Sequence, residues 1–120
     1  LIIQICCTAP LLKSKTIDSA IKKFKENHYN YDSFFTVSEV REYFWTKDAK
    51  PINFNIDKLP NSYEINPMYM ETHGLYGILT SELIKLKRRV GNNPLLFEIP
   101  KIESFDINNY EDLEIAKKLL

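Results

Sequence analysis

The residues able to do chemistry fall in four short stretches. In Ile102-Glu-Ser-Phe-Asp-Ile-Asn-Asn-Tyr-Glu-Asp-Leu-Glu-Ile-Ala116, Asp106 and Asn108 stand two apart. An extended chain projects such a pair to one side. A carboxylate there suits Mg²⁺, which is usually held by one or two carboxylates together with substrate phosphates. Just before a helix start, Asp106 would lie on the lip of a sheet, a place for a metal ion on a nucleotide. A lone carboxylate at a strand end also serves structure alone, and that alternative stays open.

The other three stretches are weaker. Cys6-Cys-Thr-Ala-Pro-Leu-Leu12 ends an apolar run in a proline turn, and Thr8 supplies a hydroxyl there. Glu71-Thr-His-Gly-Leu-Tyr-Gly77 sets Gly74, which permits close approach of a ligand or a left-handed turn, between His73 and Tyr76. A single His is as much at home on a surface or in a structural hydrogen bond. Lys85, Lys87, Arg88 and Arg89 close a helical pattern. There they complement the helix dipole, or they offer a cationic grip in which Arg presents a fork to a carboxylate or phosphate.

The elements that must position these groups alternate. Leu1–Cys7 lacks polar alternation and reads as a strand buried on both faces of a parallel sheet. A helix is expected from Thr16 to about Asn27, with Asp18 and Ser19 in its first turn and Ile17, Ala20, Ile21 and Phe24 on one face. Asp32–Ser38 is a second strand, Leu75–Leu79 a third, and Leu95–Ile99 a short fourth. Thr80 is expected to cap a helix running through Arg88 to a stop near Gly91. The opening stretch reads as a strand end delivering Asp106, then a helix over Asn109–Leu120 capped by Asn108 or Asn109, with Glu111 and Asp112 in its first turn. Between the second and third strands, Val40–Trp45 reads as strand, Pro51–Asn55 as a hairpin arm, and Ile56–Pro67 as loop. Alternating strands and helices argue for an α/β sheet.

Composition limits the function classes. At 120 residues the chain is one domain at most. Sixteen basic residues balance sixteen acidic ones, so no global field points to nucleic acid or an anionic membrane. Adjacent Cys6 and Cys7, with no CxxC motif, argue for reduced cytoplasmic thiols and against zinc. The initial apolar run is too short to span a bilayer.

Together, Thr8 to Leu11, Gly74, and Asp106-Ile-Asn108 followed by Asp112-Leu-Glu-Ile-Ala116 resemble the acylneuraminate cytidylyltransferase family. The likeness runs from Ile5 to Leu120. It implies the C-terminal half of a Rossmann-like, three-layer nucleotide-diphosphosugar-transferase sheet, with residues 40–67 as a projecting dimerisation segment. The implied reaction moves CMP from CTP to an acidic, sialic-acid-like keto-sugar with release of pyrophosphate, a step feeding capsule or lipopolysaccharide assembly. Asp106 and Asn108 would hold Mg²⁺, with Asp106 catalytic. Cys6 and Thr8 would lie on the floor of the site, His73, Gly74 and Tyr76 would border the sugar, and Arg88 would bind substrate. The partners implied are CTP, the acidic keto-sugar and a second copy of the chain, with no nucleic acid and no membrane. Three departures stand out: Asn108 replaces a family Asp, Cys6 an amide residue, and no Gly-Ser-Lys nucleotide loop exists, the only glycines being Gly74, Gly77 and Gly91. A truncated or degenerate non-catalytic fragment acting through association, or one subunit of a split enzyme, is the alternative.

Overall fold

A computed structural model describes all of Leu1–Leu120 and divides them into two units, Leu1–Ser38 with Glu71–Leu120, and Glu39–Met70. The chain runs β1 (Ile2–Ile5), α1 (Ser14–Glu26), β2 (Ser33–Val40), β3 (Met68–Ile78), α2 (Thr80–Leu86), β4 (Pro94–Glu98) and α3 (Tyr110–Leu119). The four strands form one sheet in the order β1-β3-β2-β4. β1 is antiparallel to β3, and β2 parallel to β4, so the fold is α/β with a mixed sheet.

The expected strands are neighbours, but two expectations need correction. The sheet is not all parallel, because β3 inserts between β1 and β2 and separates the strands of the first strand–helix–strand unit. Nor is β1 buried on both faces. It is an edge strand paired only with β3, which leaves Ile2 40% and Ile5 55% exposed. An apolar run specifies a strand more securely than it specifies burial.

α1 packs Ala20 and Phe24 against Phe34, Leu75 and Leu95, with Ile3, Leu12, Ile17 and Ile21 around them. The rings of Phe24 and Phe34 lie tilted with centroids 5.4 Å apart, a favourable aromatic arrangement. Gly77 makes room for this contact, since a Cβ there would run into the Phe34 ring.

Helix boundaries moved where distant groups intervened. α1 begins at Ser14, ahead of the expected Thr16, and has no acidic residue in its first turn. Its N-cap is Lys13, whose N–H donates to Oε2 of buried Glu103 at 3.1 Å, so a carboxylate ninety residues away supplies the missing acceptor. α2 is capped at Leu79 rather than Thr80 and ends at Lys87, left-handed at φ 53°, with its N–H on Leu83 O at 2.8 Å. At α3 the cap is Asn109. Its Oδ1 accepts from Asp112 N–H at 2.8 Å, and Asp112 Oδ2 accepts from Asn108 N–H at 3.0 Å. These reciprocal bonds satisfy two free donors at once.

In the second unit, Val40 closes β2 but the expected strand to Trp45 does not continue. A hairpin-like turn forms instead, with Thr46 N–H on Lys50 O at 2.8 Å and Ile52 N–H on Phe44 O at 2.9 Å. Buried Asn53 ties it together, accepting from Phe44 N–H and donating to Glu42 O. Tyr43 and Trp45 both stand edge-on to Phe54, at 5.2 and 5.1 Å between centroids. Short 3₁₀ turns, Ile56–Lys58 and Ser62–Glu64, interrupt the expected loop. No helix is long and apolar enough to cross a membrane.

Asp32 fastens the turn ahead of β4 to the start of β2. Its carboxylate accepts from Ser33 Oγ at 2.8 Å, from Asn92 N–H at 2.8 Å and from Asn93 N–H at 3.1 Å. Gly91 lies so close that a Cβ would strike this carboxylate. Burial alone would raise the Asp32 pKa, but the bonds from Ser33, Asn93 and Asn92 outweigh it and the net shift is downward. A depressed folded pKa means that the stabilisation is present above the unfolded value, near 3.9, and is lost as pH falls through the folded one. Asp32→Ala is therefore expected to lower stability by about 1 kcal/mol at pH 7, a figure discounted for solvent screening. The difference in urea midpoint between variant and parent should shrink as pH falls below the unfolded value.

Candidate functional site

The carboxyl-terminal stretch does not arrive as a strand end. After β4 the chain makes a 3₁₀ turn, Lys101–Ser104, which carries the Glu103 that caps α1. It then extends through Asp106 to Asn108, and Ile107 N–H donates to Thr8 O at 2.9 Å. Thr8 and Asp106 are thereby neighbours through the backbone. Gly74 joins them from β3. Its carbonyl accepts from Cys6 N–H at 3.0 Å, and a Cβ at Gly74 would come within 3.1 Å of the Ala9 methyl. Gly74 is used here for close approach; its φ is not positive.

Asp106 Oδ1 is buried and has no hydrogen-bond partner. An orphaned buried carboxylate oxygen is costly, so it marks a place where a cation or donor fits. Asn108 is exposed, and only its backbone N–H is engaged, by Asp112. No three His, Cys, Asp or Glu side chains converge as a metal cluster. Asp106 Oδ1 thus offers one oxygen of the kind that suits Mg²⁺, and the exposed Asn108 amide stands two residues further on.

A second group gathers on β3. Thr36 Oγ meets Thr72 Oγ at 2.6 Å and reaches toward Leu75 O at 3.5 Å. Thr36 shares a face with Phe34, and Leu75 packs beside Phe34 in the core, so Thr72 and Leu75 both point toward α1 although they stand three positions apart. Strict alternation forbids that. The extra step is taken at His73, which is left-handed at φ 60° within the strand, as in a β-bulge. Such a backbone costs a non-glycine residue about 1–3 kcal/mol and persists only where the surroundings impose it.

The slip returns Glu71 and Tyr76, five residues apart, to one face. Tyr76 OH donates to Glu71 Oε1 and also lies 3.2 Å from His73 Nδ1. Arg89 stacks its guanidinium over the Tyr76 ring with Cζ 4.0 Å from the centroid, while its Nη2 is 3.9 Å from Glu71 Oε1. Burial, then the hydrogen bond to Glu71 and its charge, raise the Tyr76 pKa, with a smaller push from nearby Cys6. Tyr76 is thus a neutral hydroxyl at any working pH.

The structure therefore brings Thr8, Gly74 and Asp106 together, links Cys6 to Gly74, and joins His73 to Tyr76. It places Arg88 otherwise: its guanidinium donates to Val90 O and Asn92 Oδ1 within the turn before β4. The neighbouring Arg89 occupies the position on Tyr76. Glu71 and Glu103 carried no sequence signal of a role, since strict alternation puts Glu71 on the face opposite Tyr76. No protein-family model matches the chain, and comparison with curated proteins gives no match.

The left-handed backbone at His73 yields a direct measurement. His73→Gly should hold or raise stability by up to about 1 kcal/mol, since glycine adopts this conformation without strain. His73→Val should lower it by about 1–2 kcal/mol, because a β-branched residue tolerates the left-handed region least. Urea midpoints for the two variants decide the matter, and a glycine variant less stable than the valine one would contradict a strained His73.

Proposed function

We propose that this chain is the acidic-sugar half of a cytidylyltransferase, transferring CMP from CTP to an acidic keto-sugar with release of pyrophosphate. The observation that carries the reading is the buried, unpartnered Asp106 Oδ1 beside Thr8. The order and spacing of the motifs support the Rossmann-like assignment, and a mixed sheet with Gly74 pressed against Ala9 accommodates it.

Asp106 and Asn108 would hold Mg²⁺, which when bound neutralises charge on the phosphates. The protein's own work in such a transfer is positioning and electrostatics. Thr8 forms the floor, Gly74 lets β3 pack close against Ala9 behind it, and His73 and Tyr76 border the sugar. Cys6 offers a thiol where an amide would orient substrate better. With three glycines, none in a phosphate-cradling loop, the triphosphate must be held by residues outside this chain. Losing one donor of transition-state charge costs about 2.7–4 kcal/mol, so the chain alone is expected to turn over too slowly to detect. Cytoplasmic CTP and reduced Cys6 and Cys7 suit one compartment.

The test has two arms. Pyrophosphate release from CTP, Mg²⁺ and a panel of acidic keto-sugars should stay at background with the chain alone. Mn²⁺ added alone should broaden the amide resonances of Thr8 and Ile107 selectively, and Asp106→Ala should abolish the effect. Broadening elsewhere, or broadening unchanged by that substitution, removes Asp106 from the site and the reading with it.

Association through the second unit is part of the proposal. Tyr43, Phe44, Trp45, Met68, Tyr69 and Met70 are all exposed large apolar residues, and Val40, Phe44, Met68, Tyr69 and Met70 line an open cleft of about 230 Å³. Contiguous exposed apolar surface of this kind marks a partner site. Light scattering is expected to give a dimer mass, and Met70→Lys should shift it to monomer. A monomeric parent at high micromolar concentration would count against the dimer.

A further inference from the structure

Three donor groups converge on a single carboxylate oxygen in the first unit. Glu71 Oε1 accepts from Tyr76 OH, and it faces His73 Nδ1 at 3.8 Å and Arg89 Nη2 at 3.9 Å. Only the tyrosine contact is a hydrogen bond; the other two exceed hydrogen-bond reach. We propose that Arg89, with His73 beside it, is a carboxylate-binding fork, and that Glu71 is an internal carboxylate that holds the fork in place until an acidic ligand takes it over. The ligand's identity as an acidic keto-sugar rests on the proposed cytidylyl transfer, whereas the fork itself does not.

The geometry of Arg89 leads to this. Its flat face is taken by the Tyr76 ring, so its mobility is limited while the N–H donors along its edge stay available. A guanidinium edge binds carboxylate by two parallel bonds, which one oxygen of Glu71 at 3.9 Å does not provide. The side chains of Arg89 and His73 are 44% and 55% exposed, so a ligand reaches both from solvent. His73 turns Nδ1 toward Tyr76 OH and keeps Nε2 as its free nitrogen. Its left-handed backbone is what presents the ring there at all. Arg88, by contrast, spends its donors on Val90 O and Asn92 Oδ1 within its own turn.

Glu71 serves as both anchor and competitor. It fixes the tyrosine hydroxyl, and its charge opposes any second carboxylate that enters. Removing that charge while keeping an acceptor for Tyr76 should therefore tighten binding of an acid, an effect opposite in sign to that of removing a supporting residue.

The experiment uses the full chain without nucleotide. A nine-carbon acidic keto-sugar and its methyl ester are titrated while the His73 ring and Arg89 Nε–H resonances are followed by NMR. The acid is expected to shift both sets of signals, and the ester neither. Arg89→Lys should weaken acid binding by about tenfold, since an ammonium lacks the fork. Glu71→Gln should strengthen it several-fold, and Arg88→Ala should leave it unchanged. No acid binding, equal binding of ester and acid, full binding by Arg89→Lys, or weaker binding by Glu71→Gln with an unchanged urea midpoint would each overturn the proposal. Arg89-dependent acid binding without Mn²⁺ broadening at Thr8 and Ile107 would keep the fork and remove the cytidylyl reading. The reverse pattern would remove the fork alone.

Discussion

The sheet's working face depends on one misstep in the backbone of β3. A strand alternates its side chains rigidly, and a one-residue slip exchanges its faces. β3 makes that slip within itself, at His73, where the chain turns left-handed for a single residue. On one side of the slip Thr72 faces the buried hydroxyl of Thr36; beyond it Leu75 enters the core with Phe24 and Phe34. The same slip delivers Glu71, His73 and Tyr76 to one place on the opposite face. A regular strand would have to give up either the hydroxyl pair or the carboxylate–tyrosine pair.

Around that strand, the first unit is knit by polar contacts between parts of the chain far apart in sequence. Glu103 reaches back ninety residues to the first turn of α1, and Asp32 reaches forward sixty to hold the turn before β4. Each puts a carboxylate where backbone N–H groups would otherwise lack acceptors, one for Glu103 and two for Asp32. The apolar core fixes which elements touch; these two carboxylates fix where they begin. Ile107 N–H on Thr8 O is a third such tie, and it brings the Asp106 segment to the end of β1.

How much of this could be read from the residues alone follows from the range of each interaction. The α3 cap was legible to within one residue, Asn108 or Asn109, because a short polar side chain can accept a free first-turn N–H; Asn109 is the one that does. β1 and β2 were legible as apolar runs rich in β-branched or aromatic residues, and β4 as a short apolar run. The start of α1 was not, because Lys13 has no capping side chain and its acceptor comes from Glu103. Strand order was hidden for a similar reason: nothing local in Leu1–Cys7 reveals that its neighbour is β3 rather than β2. Of the candidate site, Thr8, Gly74 and Asp106 were legible as candidates, but their proximity rests on bonds between distant segments, Cys6 N–H on Gly74 O and Ile107 N–H on Thr8 O. The choice between Arg88 and Arg89 was not legible, since it turns on a ring stacked across the sheet face. In residues 40–67 the aromatic content was plain, while the fastening of the turn by Asn53 was not.

The edge position of β1 has a consequence for handling the protein. One side of Ile2–Ile5 pairs with β3; the other is a free row of N–H and C=O groups flanked by exposed isoleucines. Natural sheets commonly guard such rims with lysine, proline or a bulge, and none stands within these four residues. An extended segment from any neighbouring molecule can be added there as a further strand. Such a rim favours association as concentration rises, even where the core is intact. A lysine in place of Ile5 would guard it without touching the buried cluster.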